Sequence, residues 1–137
     1  MIRSAFKFSN PRINKSIFIS NDEIKGFDEK KYSMNIEANT EIKKKPNIPS
    51  AIVRLTVTIN KDEKNIYENK LPFFIEVAAI AEFSWNEQLE ERGIDSFLQM
   101  NAPALLLSYI RSQVAYITTQ AGFPALNIPF MDFTQQK

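Results

Sequence analysis

The 137-residue chain has no cysteine, no histidine and only three glycines. The first two absences remove disulfides, thiolate nucleophiles, imidazole bases and the usual zinc ligands together. With so few glycines there is no Gly-rich phosphate loop either, so the sequence predicts no catalytic residues, no metal and no cofactor. Neither sign of charge prevails: 17 Lys and Arg stand against 16 Asp and Glu, a net charge of +1. That balance gives no general pull toward nucleic acid or a membrane surface. Long apolar runs are missing as well. Met1 to Asn10 alternates polar with apolar residues, unlike a signal peptide. Leu71 to Trp85, the longest apolar stretch, is broken by Glu76 and Glu82 and falls short of the roughly 20 residues a membrane helix needs. The expectation is a cytoplasmic protein without membrane insertion.

What is present suits one domain over residues 1–137, with a hydrophobic content of 44% that can supply a core unaided. Met34, Ile36, Ala38 and Ile42 alternate with Asn35, Glu37, Asn39 and Glu41, the period of a half-buried strand. A charged, proline-punctuated connection follows from Lys43 to Pro49. Val53, Leu55, Val57 and Ile59 then alternate with polar residues in a second strand. Asn60 to Asn69 reads as a polar turn. Phe73, Ile75, Val77, Ala79, Ala81, Phe83 and Trp85 share one face of a long third strand. Ahead of these, Ala5 to Ile19 reads as an edge strand bent or bulged at Pro11. Short connections favour antiparallel pairing.

The last third carries a helix from Pro103 to Ala121, with Asn101 as N-cap, Pro103 in the first turn and Gly122 with Pro124 as the stop. It would be roughly 28 Å long, enough to cross a small sheet. Leu106, Ile110, Val114, Ile117 and Ala121 form one apolar row, and Leu105, Tyr109 and Tyr116 a second. One sheet covers only part of so broad a stripe, and another copy of the chain is the simplest cover for the rest. The expected fold class is α+β: an antiparallel sheet of about four strands with one long helix on a face. Beyond the helix, Phe123, Leu126, Ile128, Phe130, Met131 and Phe133 crowd one loop. So apolar a loop must cover something or be covered.

Residues Ala102 to Arg111, reading APALLLSYIR, followed by Ala121-Gly122-Phe123-Pro124-Ala125-Leu126-Asn127-Ile128-Pro129 and Asp132-Phe133, resemble the signature of the SecB-type protein-export chaperones. Phe74-Ile75-Glu76-Val77 and Glu82-Phe83 are similar to a strand of that family. Ser108 and Asp132 depart from its usual Pro and Asn, and Ile80-Ala81 from its Gly-rich approach to the Phe. The resemblance implies an ATP-independent holdase that binds non-native polypeptide, assembled as a dimer of dimers with helices between sheets. It makes Phe123, Leu126, Ile128, Phe130 and Phe133 candidates for a client-binding groove, and Leu105, Tyr109 and Tyr116 candidates for the oligomer interface. Tyr109 and Arg111, which match the motif, read as structural residues.

The sequence ends at Lys137, before the second helix and acidic tail usual in the family, so the outer wall of the groove is expected to be missing. Asn14, Lys15 and Ser16 stand near the strand where the family carries acids for docking to the SecA motor, which argues against that partner. Three functions stay open: a general holdase, possibly for export; a dedicated chaperone for one client such as an antitoxin segment; and a non-chaperone oligomeric adaptor. Elsewhere, Glu87, Glu90 and Glu91 with Arg92 read as a solvated turn, and Lys43 to Lys45 as a solvated hairpin rather than a nucleic-acid site.

Overall fold

The computed structural model describes residues 6–24 and 32–133. Its strands are β1 (Phe6–Phe8), β2 (Arg12–Ser20), β3 (Ile36–Lys44), β4 (Ser50–Ile59) and β5 (Phe73–Trp85). All pairings are antiparallel, in the order β1, β5, β4, β3, with β2 also on β5. β1 and β2 are two halves of one edge strand: Phe6–Phe8 pairs with Trp85–Phe83, and Arg12–Ser20 continues down β5 from Ile80 to Phe73. The break falls at Pro11, as the sequence implies, because proline cannot donate to the ladder. A second irregularity lies between Ile13 and Lys15, where the register slips. Ala5, where the sequence reading begins this segment, is outside the described residues.

β5 is central because both its faces are apolar, and it is buried over most of its length. Its residues Phe73, Ile75, Val77, Ala79, Ala81 and Phe83 join Ala51, Val53, Leu55, Val57 and Ile59 of β4 in one core, all 4% exposed or less. Lys45 reaches from the β3–β4 turn to Glu82 of β5 at 2.8 Å, and Ser50 donates to the same carboxylate at 2.8 Å. These partners hold the Glu82 carboxyl below its usual range.

Two sequence expectations are corrected. The polar stretch Asn60 to Asn69 is not only a turn: it contains a short helix, α1 (Glu63–Glu68), capped by the Asp62 carboxylate accepting from the Asn65 N–H at 2.7 Å. The main helix also does not begin at Pro103. Helix α2 (Glu91–Ser96) runs through a π segment (Phe97–Asn101) into α3 (Ala102–Gln120), a 30-residue helical stretch. Asn101 has helical dihedrals and makes no capping bond. The physical reason lies in Pro103, which lacks an N–H and crowds the preceding turn. Widening that turn to a π segment, in which the Ala102 N–H reaches back to the Phe97 carbonyl, lets the helix continue through it. Glu91 and Arg92 thus open α2 rather than form a free turn.

Candidate binding surface

α3 lies across the sheet with Leu106, Ile110 and Val114 fully buried against β4 and β5. Ile117 is only half-buried and Ala121 is exposed, so the buried row passes instead through Thr118, one turn beyond Val114. A buried hydroxyl needs partners, and Thr118 has three. It donates toward the carbonyls of Val114 at 2.8 Å and Ala115 at 3.1 Å, and accepts from the Leu126 N–H at 3.0 Å. That last bond ties the outgoing loop to the helix.

The helix ends where expected. Gly122 takes φ +87°, a conformation that favours glycine. The Gly122 N–H then bonds the Thr119 carbonyl at 3.1 Å, and the Phe123 N–H the Thr118 carbonyl at 3.0 Å. This is the Schellman arrangement, and it reverses the chain back along α3. Phe123 lands edge-on to Phe73 with ring centroids 5.1 Å apart and lies 6.1 Å from Phe18 of β2. The loop therefore runs on the β2 side of the helix.

Arg111 fastens the rest of the loop. Its Nε donates to the Ile128 carbonyl at 2.6 Å, and its guanidinium carbon stands 3.9 Å from the centroid of the Phe130 ring. The five loop residues singled out in the sequence consequently separate. Ile128 and Phe133 are buried, at 0% and 5% exposed, and belong to the core rather than to an open groove. Phe123 and Leu126 are half-buried against that core. Phe130 alone of the five stands out, 80% exposed. Ile128 is directed inward with its carbonyl held by Arg111, and the Phe130 ring lies outward over the same guanidinium.

The outer face of α3 carries the second row. Leu105 is half-buried, Tyr109 is 41% exposed and Tyr116 60%. Between Ala102 and Gln120 the one charged residue is Arg111, which is already engaged with the loop. The hydroxyls on this face bond the helix's own backbone: Ser108 to the Leu105 carbonyl at 2.6 Å, Ser112 to that of Ser108 at 3.3 Å and Thr119 to that of Ala115 at 2.8 Å. The hydroxyl protons of these residues are thus taken up by the helix itself. Two open depressions, of about 360 and 220 Å³, adjoin along it and share Ser108 and Ser112. Leu105 and Tyr109 line the first, Arg111, Ala115 and Asn127 the second. Sequence reading did not anticipate Thr118 as the loop's anchor or Arg111 as its clasp. A Thr four residues before a Gly stop is a signal for the first; nothing local marks the second.

Of the three residues at the expected motor-docking strand, Lys15 forms a close ion pair with Glu76 and Ser16 accepts from Gln113 of α3 at 3.1 Å. Asn14 is the residue the register skips. Among the described residues, no helix is long and apolar enough to cross a membrane.

A long helix across an antiparallel sheet, with an apolar loop clasped back along it, defines an α+β protein. Residues 18–136 match the preprotein translocase subunit SecB family, and the chain belongs to that family, whose chaperones are not enzymes. The chain is similar to the protein-export protein SecB of Anaplasma phagocytophilum, at 33% identity over 106 residues, 74% of this chain and 66% of the relative. It spans just under two-thirds of that protein's length, and 44% of the SecB of Anaplasma marginale. It is also similar to the uncharacterized protein MJ0357 of Methanocaldococcus jannaschii, 29% identical over 127 residues, 93% of this chain and 79% of that one. Among solved structures, the SecB-like chaperone Rv1957 of Mycobacterium tuberculosis, in complex with a ChAD peptide from the HigA1 antitoxin, shares the fold. Its TM-score is 0.70 at 15% identity, covering 93% of this chain and 88% of that one.

Proposed function

We propose that this protein is an ATP-independent holdase that binds non-native polypeptide on apolar surface around the Arg111 clasp. Phe130 is the observation that carries the reading. A phenylalanine left 80% exposed costs about 1.5–3 kcal/mol relative to burial, and here the ring lies against the Arg111 guanidinium, which also holds the chain two residues earlier at the Ile128 carbonyl. A large ring held outward offers area to many sequences with few geometric demands. Phe123 and Leu126, half-buried beside it, extend the client surface, whereas Ile128 and Phe133 support it from below. The uncharged face of Leu105, Tyr109 and Tyr116 is the contact between copies, in an assembly of the dimer-of-dimers kind. The cytoplasm is its working compartment.

A dedicated-client version has one specific support: the Mycobacterium tuberculosis relative binds an antitoxin peptide on the same fold. In that version one segment, rather than any unfolded chain, fits the surface. The discriminating experiment is suppression of aggregation of an unrelated denatured protein at stoichiometric amounts without ATP, on material whose mass is checked by light scattering. Suppression supports the general holdase. No suppression, with a hydrophobic dye still binding, moves the reading to a dedicated client. A dye that finds no site leaves an oligomeric adaptor.

A further inference from the structure

α3 packs on one face of the sheet, where the odd-numbered residues of β4 and β5 form the core. The register lays out the opposite face, because side chains alternate along each strand. Next to the β3–β4 turn it presents three cross-strand rows. Lys7 lies beside Ser84 and Ser50; Glu82 beside Ile52 and Lys43; Arg12 beside Ile80, Arg54 and Glu41. The turn itself adds Lys45, which reaches Glu82. Further along the same face stand Lys15, Glu76 and Glu37.

The two ends of this face differ in charge. Near the turn five cations, Lys7, Arg12, Lys43, Lys45 and Arg54, stand against two carboxylates, Glu41 and Glu82. At the far end Lys15 is neutralised by its ion pair with Glu76. Nor are the cations near the turn all engaged. Lys45 meets Glu82 at 2.8 Å, but Arg54 reaches Glu41 only at 3.7 Å, and its Nε is buried without a hydrogen-bond partner. Among the described residues Lys7, Arg12 and Lys43 form no ion pair. Unmatched positive charge therefore collects at one end of one face, although the whole chain carries only +1.

That end also has a shape. Where Pro11 interrupts the edge strand, the Ser9 side chain stands in for the ladder: its Oγ accepts from the Glu82 N–H at 3.0 Å, while the Ser9 N–H donates to the Glu82 carbonyl at 2.9 Å. The chain regains its register at Arg12, opposite Ile80. Beside the break lies a depression of about 190 Å³, lined by Ile52 and Ile80 from the sheet and by Ser9, Asn10 and Arg12. Glu82 lines it too, with its carboxylate already met by Lys45 and Ser50. The space suits a single side chain rather than a free small molecule. Isoleucines for an aliphatic stem and a guanidinium for a carboxylate match an acidic residue of another chain, since arginine can meet a carboxylate with two parallel donors. From β2 to β3 is roughly 14 Å, a span that four or five extended residues cover, so further carboxylates of one segment come within reach of Arg54 and Lys43. Nucleic acid matches less well: two carboxylates lie within the patch, and the three rows hold no aromatic ring on which a base could stack.

We propose that the turn end of this open sheet face is a docking site for an acidic polypeptide segment, one of whose carboxylate side chains enters the depression beside Arg12. The site lies on the face opposite α3, so it does not rest on the holdase reading.

The test is fluorescence anisotropy on the full chain with a labelled dodecapeptide that alternates glutamate with serine, a probe too polar to use apolar client surface. Saturable binding is expected, weakening severalfold when salt is raised from about 50 to about 200 mM. Arg12→Glu and Lys43→Glu should each weaken it about tenfold or more, with circular dichroism unchanged because both positions are exposed. Arg12→Gln, a milder change at the same position, reads the loss if Arg12→Glu disturbs the strand. Lys64→Glu on α1 makes the same change in net charge away from the patch and should alter binding by less than about twofold. Absence of binding overturns the proposal, as does equal binding of the matching glutamine peptide. Equal losses in Lys64→Glu and Arg12→Glu would reduce the effect to net charge and also overturn it. An oligonucleotide of the same charge that binds more tightly and displaces the peptide would assign the patch to phosphate instead.

Discussion

Leu106 and Ile110 on α3 stand one position after Leu105 and Tyr109, yet the first pair is fully buried while Leu105 is only half-buried and Tyr109 is exposed. Both rows are apolar, and nothing in residue type separates them. What divides them is curvature: a flat sheet can reach only about a third of a cylinder, and α3 presents more apolar surface than that. The inner row is committed to the folding of one chain. The outer row packs on the core only through Leu105, leaves Tyr109 and Tyr116 exposed, and is flanked by serines whose hydroxyls are turned back on the helix. Burial in the core and exposure are thus properties of adjacent positions on one element.

Breaking the inner row should have the largest effect. Ile110→Ala leaves a cavity between α3 and the sheet and should cost about 2–5 kcal/mol, read as a lower midpoint in urea unfolding. A cost below 1 kcal/mol would mean that the two rows are not energetically distinct. Next comes Thr118→Val, which keeps shape but leaves the Leu126 N–H without its acceptor. It should cost about 1–3 kcal/mol and loosen the loop, seen as faster amide exchange at Leu126. Tyr116→Glu, on the outer row, should lower the assembly state in sedimentation while circular dichroism is unchanged. An intact assembly would remove Tyr116 from the contact.

The same division explains how much of the molecule the sequence reveals. The strands were legible because alternation with period two needs only one wet face, as in β3 and β4, and the bend at Pro11 follows from a missing N–H. The helix stop was legible because Gly122 is needed where φ is positive. Its start was not: Pro103 looks like a first-turn proline, and the helix continues past it through a π segment whose Leu98 is buried in the core. Helix α1, six residues in a polar stretch, has too little periodicity to announce itself. In the loop, the apolar content was visible but its sorting was not. Ile128, Phe130 and Phe133 follow no period, and their sorting goes with long-range contacts such as those of Arg111 with the Ile128 carbonyl and the Phe130 ring.

Phe130 is the sharpest form of the comparison because it sits on the clasp that joins core to surface. Removing its ring with Phe130→Ala takes away little buried area, so the stability lost should be confined to the contact with Arg111, about 0.5–1 kcal/mol at an exposed site. Thermal unfolding should therefore move by only a few degrees at most, while suppression of client aggregation should fall clearly. A melting temperature many degrees lower would mean that the ring packs into the core in solution and belongs with Ile128 and Phe133. Unchanged stability with unchanged client binding would mean that the ring is displayed but not used, and that the working surface lies elsewhere on the molecule. Only a large loss of binding at small structural cost fits a side chain held outward for a partner.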